Sequence, residues 1–124
     1  MKVRTVIPYQ YQFEEIGRNL TVTTDSYRLS DKLLRTLAEV YWPETEVDNA
    51  VQLALRLTNG CTGVWRLGDT DLRGLFLLDC IRFPWLQRVN LFDPVVNASH
   101  AAHLWSNYGW ELWKGREAFV ADQE

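Results

Sequence analysis

Residues 45–67 read TEVDNAVQLALRLTNGCTGVWRL, and the hydrophobic period changes within this stretch. Its first part is apolar around most of the circumference of a helix, and Thr45 begins a capping-box pattern. The helix is expected to end at Gly60, because glycine adopts the left-handed conformation that satisfies the last carbonyls. From Gly63 to Leu67 the period is two, which is typical of a strand. The stretch therefore predicts a buried helix followed directly by a sheet.

The residues that follow predict a mainly antiparallel sheet. Gly68-Asp69-Thr70-Asp71 is a turn-forming sequence, and Leu72–Phe83 carries apolar residues on both faces, as a central strand does. Asp79 is the exception within this run, and we expect it to pair with an arginine. Three further stretches have strand character: Lys2–Ile7, Arg88–Phe92 and Trp110–Val120.

Two further helices are predicted, each with an apolar stripe. Ser30 is placed to cap a helix that Pro43 ends, and Asn97 is placed to cap another that ends before Gly109. A weaker helical pattern covers residues 13–20. The sequence predicts a single α+β domain over residues 1–124, with helices packed on one face of a mainly antiparallel sheet. The predicted core contains Leu33, Leu34, Leu37, Val40, Leu53, Leu57, Leu104 and Trp105.

Composition and charge exclude several classes of partner. The formal net charge of −3 lacks the basic footprint of a nucleic-acid-binding protein, and no run is long and apolar enough to span a membrane. The first residues carry charges without an apolar stretch, so we expect no signal peptide and a cytoplasmic location. Cys61 and Cys80 lie in apolar contexts and are expected to be buried free thiols.

No motif for a catalytic, metal or cofactor site stands out. The sequence has no nucleophile elbow, phosphate loop, dinucleotide fingerprint or paired-cysteine motif. His100 and His103 have a spacing that can share one metal ion, but no third ligand flanks them. We therefore assign no catalytic residue, metal or cofactor.

The six tryptophans are the unusual feature of the composition. Trp113 on a strand would face away from Trp110, and Trp85 follows a proline at a strand break. Exposed aromatic residues of this kind are enriched at protein interfaces. We predict a small intracellular binding module, an inhibitor, adaptor or assembly subunit, whose partner is another protein or a second copy of this chain. Its contact residues are Trp85, Trp113 and Tyr108, with Asp and Glu at the rim.

Part of the chain resembles the GCN5-related N-acetyltransferase family. Val3-Arg4-Thr5-Val6, two helices and the Gly63–Phe76 hairpin follow the order of that fold. Separately, Asn97, Ala101, Trp105, Gly109-Trp110 and Gly115-Arg116-Glu117 are similar to its later helix and Gly-aromatic segment. The glycine-rich turn that binds the acetyl-CoA pyrophosphate has no counterpart in Asp93–Asn97, so no catalytic residue is carried over.

The resemblance implies an alternative function, an acyl-CoA N-acyltransferase. Its anion or acyl-CoA site would lie where a helix opens at Asn97, with Ser99 nearby, because free N–H groups at a helix N-terminus bind anions. His100, one turn further along, would then be the general base.

Overall fold

The computed structural model describes residues 21–23 and 27–118, and this part of the chain is an α+β fold, as predicted. The helices are α1 (Asp31–Tyr41), α2 (Val47–Thr58) and α3 (Pro94–Tyr108). The strands are β1 (Thr21–Thr23), β2 (Val64–Leu67), β3 (Asp71–Arg73) and β4 (Leu78–Asp79). Three 3₁₀ turns cover Glu44–Glu46, Pro84–Arg88 and Trp110–Trp113. The predicted elements at Lys2–Ile7 and 13–20 lie outside the described residues.

The strands form an antiparallel sheet in the order β1-β2-β3-β4. The prediction of one long strand over Leu72–Phe83 is wrong, because the chain turns between β3 and β4. Gly74 has a φ of +81° and its carbonyl accepts the N–H of Leu77, whose own φ is +48°. The turn directs Leu75 and its neighbours into the core, which explains a long apolar run without a long strand.

Helix α1 begins as predicted, but α2 does not. The hydroxyl of Ser30 accepts the N–H of Leu33 at 3.1 Å, which confirms the first cap. Thr45 lies inside a 3₁₀ turn, and Glu46 precedes α2 without a side-chain cap, so the predicted capping box is wrong. The end of α2 is confirmed, since Asn59 and Gly60 both have left-handed backbones.

Helix α3 begins earlier than predicted. Its cap is Asp93, whose carboxylate accepts the N–H groups of Val95 and Val96 at 2.9 and 3.4 Å. Pro94 occupies the first helical position, where its missing N–H costs no hydrogen bond. The prediction that Asn97 caps this helix is wrong, because Asn97 lies within the first turn.

Two predicted strands are 3₁₀ turns and loops instead. Arg88–Phe92 follows the 3₁₀ turn that Pro84 opens, and it pairs with no strand of the described sheet. Trp110–Trp113 is a 3₁₀ turn that follows Gly109, whose φ is +70°. Neither segment keeps the alternation of a strand, so faces inferred from a period of two do not apply.

The core prediction is confirmed for most of its members. Leu34, Leu53, Leu57 and Leu104 lie in one buried cluster, and Leu37 and Trp105 pack against it half-buried. The core prediction is wrong for Leu33 and Val40, because their side chains are 55% and 67% exposed. Helix α1 packs against α2 and α3 through Leu34 and Ala38, so only part of its apolar surface is covered.

The interior of the fold contains both cysteines and three charged residues, Asp71, Arg73 and Asp79. Cys61 and Cys80 are both buried, as predicted, and Cys80 is a free thiol. The carboxylate of Asp79 accepts the backbone N–H groups of residues 81 and 82; the expected ion pair of Asp79 with an arginine is not found among the described residues. The buried ion pair is instead Asp71 with Arg73, 2.8 Å apart, and the indole N–H of Trp65 also donates to Asp71.

Candidate functional site

One exposed surface gathers aromatic side chains from two elements. Phe83 precedes the Pro84–Arg88 turn and Trp85 lies within it, while His100 and Tyr108 belong to α3. The rings of Phe83 and Tyr108 are 5.6 Å apart, those of Phe83 and Trp85 6.4 Å, and those of Trp85 and His100 5.4 Å. We call this set, together with Arg82, the aromatic surface.

A cation lies over two of these rings. The guanidinium carbon of Arg82 is 5.3 Å from the centre of Phe83 and 5.2 Å from that of Tyr108. Its backbone N–H donates to the carboxylate of Asp79 at 3.2 Å, which fixes where the side chain leaves the main chain. Exposed cation–π contacts contribute about 0.5–1 kcal/mol each, so Arg82 and the rings hold one another in place.

The aromatic surface is open to solvent and basic. Trp85 and Tyr108 are 45% and 47% exposed, although Phe83 beneath them is buried. Arg88 follows Trp85 by three residues in a 3₁₀ turn, where such residues eclipse one another. No Asp or Glu occurs between Asp79 and Asp93 or between Asp93 and Glu111. The segments that build this surface therefore contribute no acidic side chain to its rim.

Trp113 does not belong to the aromatic surface. Its side chain is 1% exposed, and its indole N–H donates to the carbonyl of Phe76 at 2.7 Å. The prediction that Trp113 faces a partner is wrong, because it assumed a strand where the chain forms a 3₁₀ turn. Trp85 is the only one of the six tryptophans that is exposed.

Trp113 lies instead in a cluster of aromatic rings beneath the 3₁₀ turn. Trp110 stacks on Trp42 at 6.0 Å and contacts Trp105 at 5.5 Å. The indole N–H of Trp110 donates to Glu46 at 2.8 Å, and this hydrogen bond lowers the pKa of Glu46. The indole N–H of Trp42 is buried and has no acceptor among the described residues. This cluster packs the fold, with Trp42 and Trp113 buried and Trp105 and Trp110 half-buried.

At the predicted anion site, the polar groups of Asn97 are already hydrogen-bonded within the protein. Asn97 is fully buried, its carbonyl oxygen accepts the N–H of Phe76 at 2.9 Å, and its amide donates to the carbonyls of Arg73 and Leu91 at 3.0 and 2.9 Å. The first amides of α3 already bind the carboxylate of Asp93. The structure therefore places Asn97 as a structural brace between α3 and the β3–β4 turn, which corrects its assignment to a site.

The other two residues of that predicted site share none of the hydrogen bonds of Asn97. Ser99 is half-buried, and His100 points to the aromatic surface, where it contacts Trp85. Burial, and then the nearby His103, lower the pKa of His100. The described residues include no group of three or more His, Cys, Asp or Glu side chains that could hold a metal ion. Within the same part of the chain, no helix is both long and apolar enough for a membrane span.

The structure thus brings together Trp85, Tyr108 and His100, residues that the sequence assigned to different sites. Sequence reasoning missed Arg82 and Phe83, although the aromatic-Pro-aromatic order of residues 83–85 marks an exposed break in the chain. No family model, curated protein or solved structure matches this chain. The function is therefore argued from the residues themselves.

Proposed function

We propose that this protein is a small intracellular binding module that contacts another protein through the aromatic surface. The observation that carries the proposal is the arrangement of Trp85, Tyr108 and Arg82 side by side on exposed segments. Tryptophan, tyrosine and arginine are the residue types that dominate binding energy at protein interfaces. The buried free thiol of Cys80 is typical of a reducing compartment, which supports a cytoplasmic location.

The chemistry of the surface indicates the kind of partner. The charged side chains of the segments that build it are Arg82 and Arg88, so we expect an acidic partner segment with an apolar side chain at its centre. Stacking of Arg82 on Phe83 and Tyr108 restrains these side chains before a partner arrives. Binding then costs less rotamer entropy than it would with free side chains.

The acyl-CoA alternative gains no support from the site that it requires. That function needs free amides at the start of α3, and the carboxylate of Asp93 occupies them. Asn97 is committed to three backbone groups of its own chain. The binding module is accordingly the function that the geometry supports best.

Photo-crosslinking from the aromatic surface tests the proposal. A photoreactive phenylalanine analogue at position 85 should capture a discrete partner from cell extract, and the same analogue at position 27 should not. Tyr27 is a matched control because it is an aromatic residue that is 58% exposed and is not part of the aromatic surface. Equal capture from both positions would show that the aromatic surface binds nothing selectively.

Affinities measured with the purified partner then show how much binding free energy each side chain contributes. Trp85→Ala and Tyr108→Ala should each raise the Kd by about 30-fold, since interface anchors are worth about 2 kcal/mol. Tyr27→Ala should leave the Kd unchanged, and Arg82→Gln should slow association mainly at low salt. If Trp85→Ala binds as tightly as the wild type, the aromatic surface is not the interface.

A further inference from the structure

We infer that α1 is a self-association surface, and that it pairs in antiparallel orientation with α1 of a second copy of this chain. The surface concerned is the exposed side of α1, made of Leu33, Thr36, Leu37 and Val40, which we call the α1 face. It shares no residue with the aromatic surface, so this inference does not rest on the proposed function.

The α1 face forms one wall of an apolar groove. The groove has a volume of about 220 Å³, and Pro94 and Val95 at the start of α3 form its other wall. Leu33, Val40 and Val95 are 55%, 67% and 51% exposed, a continuous apolar patch left open by the fold. Contiguous exposed patches of this kind mark interaction sites more often than scattered single residues do.

The polar groups around the groove are already satisfied. The hydroxyl of Thr36 donates to the carbonyl of Lys32 at 3.0 Å, which leaves its methyl group facing outward. Pro94 has no N–H, and the N–H of Val95 donates to Asp93. An extended peptide would find no backbone partner here, whereas the apolar ridge of a helix needs none.

The spacing of the α1 face is that of a helical seam. Leu33, Thr36 and Val40 of α1 follow one another at intervals of three and four residues, the a and d spacing of a heptad. A second α1 in antiparallel orientation places Leu33 of one copy opposite Thr36 of the other, with Val40 against the N-terminal end of the partner's α1. The same apolar residues thus form both sides of a two-fold interface.

The charges beside the seam select that orientation. Lys32 and Glu39 both lie on the solvent flank of the α1 face, seven residues apart. In the antiparallel register that aligns the apolar residues, Lys32 of each copy meets Glu39 of the other, so two opposite-charge pairs form. A parallel two-fold pair would place Lys32 and Glu39 of one copy on the opposite side of the dimer from those of the other, so neither charge pair would form. Neither side chain makes an ion pair with another described residue, while the neighbouring Arg35 is bound to Asp48 at 2.5 Å.

Concentration-dependent mass measurement on the full chain tests the inference. Sedimentation velocity or light scattering over a several-hundred-fold concentration range should show a monomer–dimer equilibrium. Val40→Glu should abolish the dimer without unfolding the chain, because Val40 is exposed. Ile81→Glu, on a residue 54% exposed elsewhere, is the matched control and should leave the equilibrium unchanged. A wild-type chain that is monomeric throughout the concentration range overturns the inference.

Charge reversal tests the orientation. Lys32→Glu and Glu39→Lys should each raise the dimer Kd by about tenfold, because each converts two attractive pairs into two repulsive ones. The double variant restores both pairs in reversed order, so it should dimerise as the wild type does. A double variant as weak as the single variants overturns the antiparallel register. Binding of the partner captured at position 85 should be unaffected by either change.

Discussion

Replacing Asn97 by leucine should remove a large part of the stability of the fold. Leucine has the same branched side-chain outline but leaves three buried backbone groups without their partners: the N–H of Phe76 and the carbonyls of Arg73 and Leu91. Each buried unsatisfied group costs about 1–3 kcal/mol, so the three together predict a loss of about 3–9 kcal/mol. Small domains have about 5–15 kcal/mol in total. In urea, followed by tryptophan fluorescence, the midpoint should fall by about 2 M for a typical m-value.

The control for this substitution lies on the same helix. Asn107→Leu makes the same chemical change at an exposed position of α3 and should alter stability by no more than about 0.5 kcal/mol. Gly74→Ala should resemble Asn97→Leu, since its Cβ would lie 2.1 Å from the carbonyl oxygen of Leu91 and 2.3 Å from the amide nitrogen of Asn97. A midpoint for Asn97→Leu equal to that of Asn107→Leu would refute the bracing role and leave Asn97 free for a ligand.

The packing of the fold leads to three further predictions. Trp113→Phe should destabilise the protein by about 1–3 kcal/mol more than Trp42→Phe in urea titrations, because the first breaks a buried hydrogen bond and the second removes a donor that has no acceptor among the described residues. Leu37→Ala should cost about 1–2 kcal/mol, and Val40→Ala less than about 0.5 kcal/mol, by the same assay. Burial raises the pKa of the Cys80 thiol to about 12, so iodoacetamide at pH about 8.5 should label it after unfolding but not before, as read by mass spectrometry.

Elements that depend on local chemistry could be predicted from the sequence. The cap at Ser30 and the left-handed end at Gly60 require only neighbouring residues, and both occur where the sequence places them. The β2–β3 hairpin is also local, since its strands are joined by a short turn. The predicted cap at Thr45 is wrong because a 3₁₀ turn precedes α2. Sequence propensities do not distinguish the first turn of an α-helix from a 3₁₀ turn.

Features that depend on the tertiary fold could not be predicted. The apolar run after Leu72 is compatible with a strand or a buried turn, and the choice is made by Asn97, which lies more than twenty residues later and binds the turn. The sequence prediction placed Trp113 on the outer face of a strand, but this segment is a 3₁₀ turn and has no alternation of period two. The contact of Arg82 with Tyr108 joins segments that are remote in sequence, so no local pattern indicates it.

Helix α3 keeps the two proposed surfaces apart. Val95 at its start lines the groove beside the α1 face, and Tyr108 at its end belongs to the aromatic surface. Thirteen residues of helix separate them, a rise of about 20 Å. A dimer formed through α1 would leave both copies of the aromatic surface open, because no residue is used twice. Substitutions that weaken self-association need not weaken partner binding, and two linked copies would hold a partner with repeated sites more tightly than one copy does.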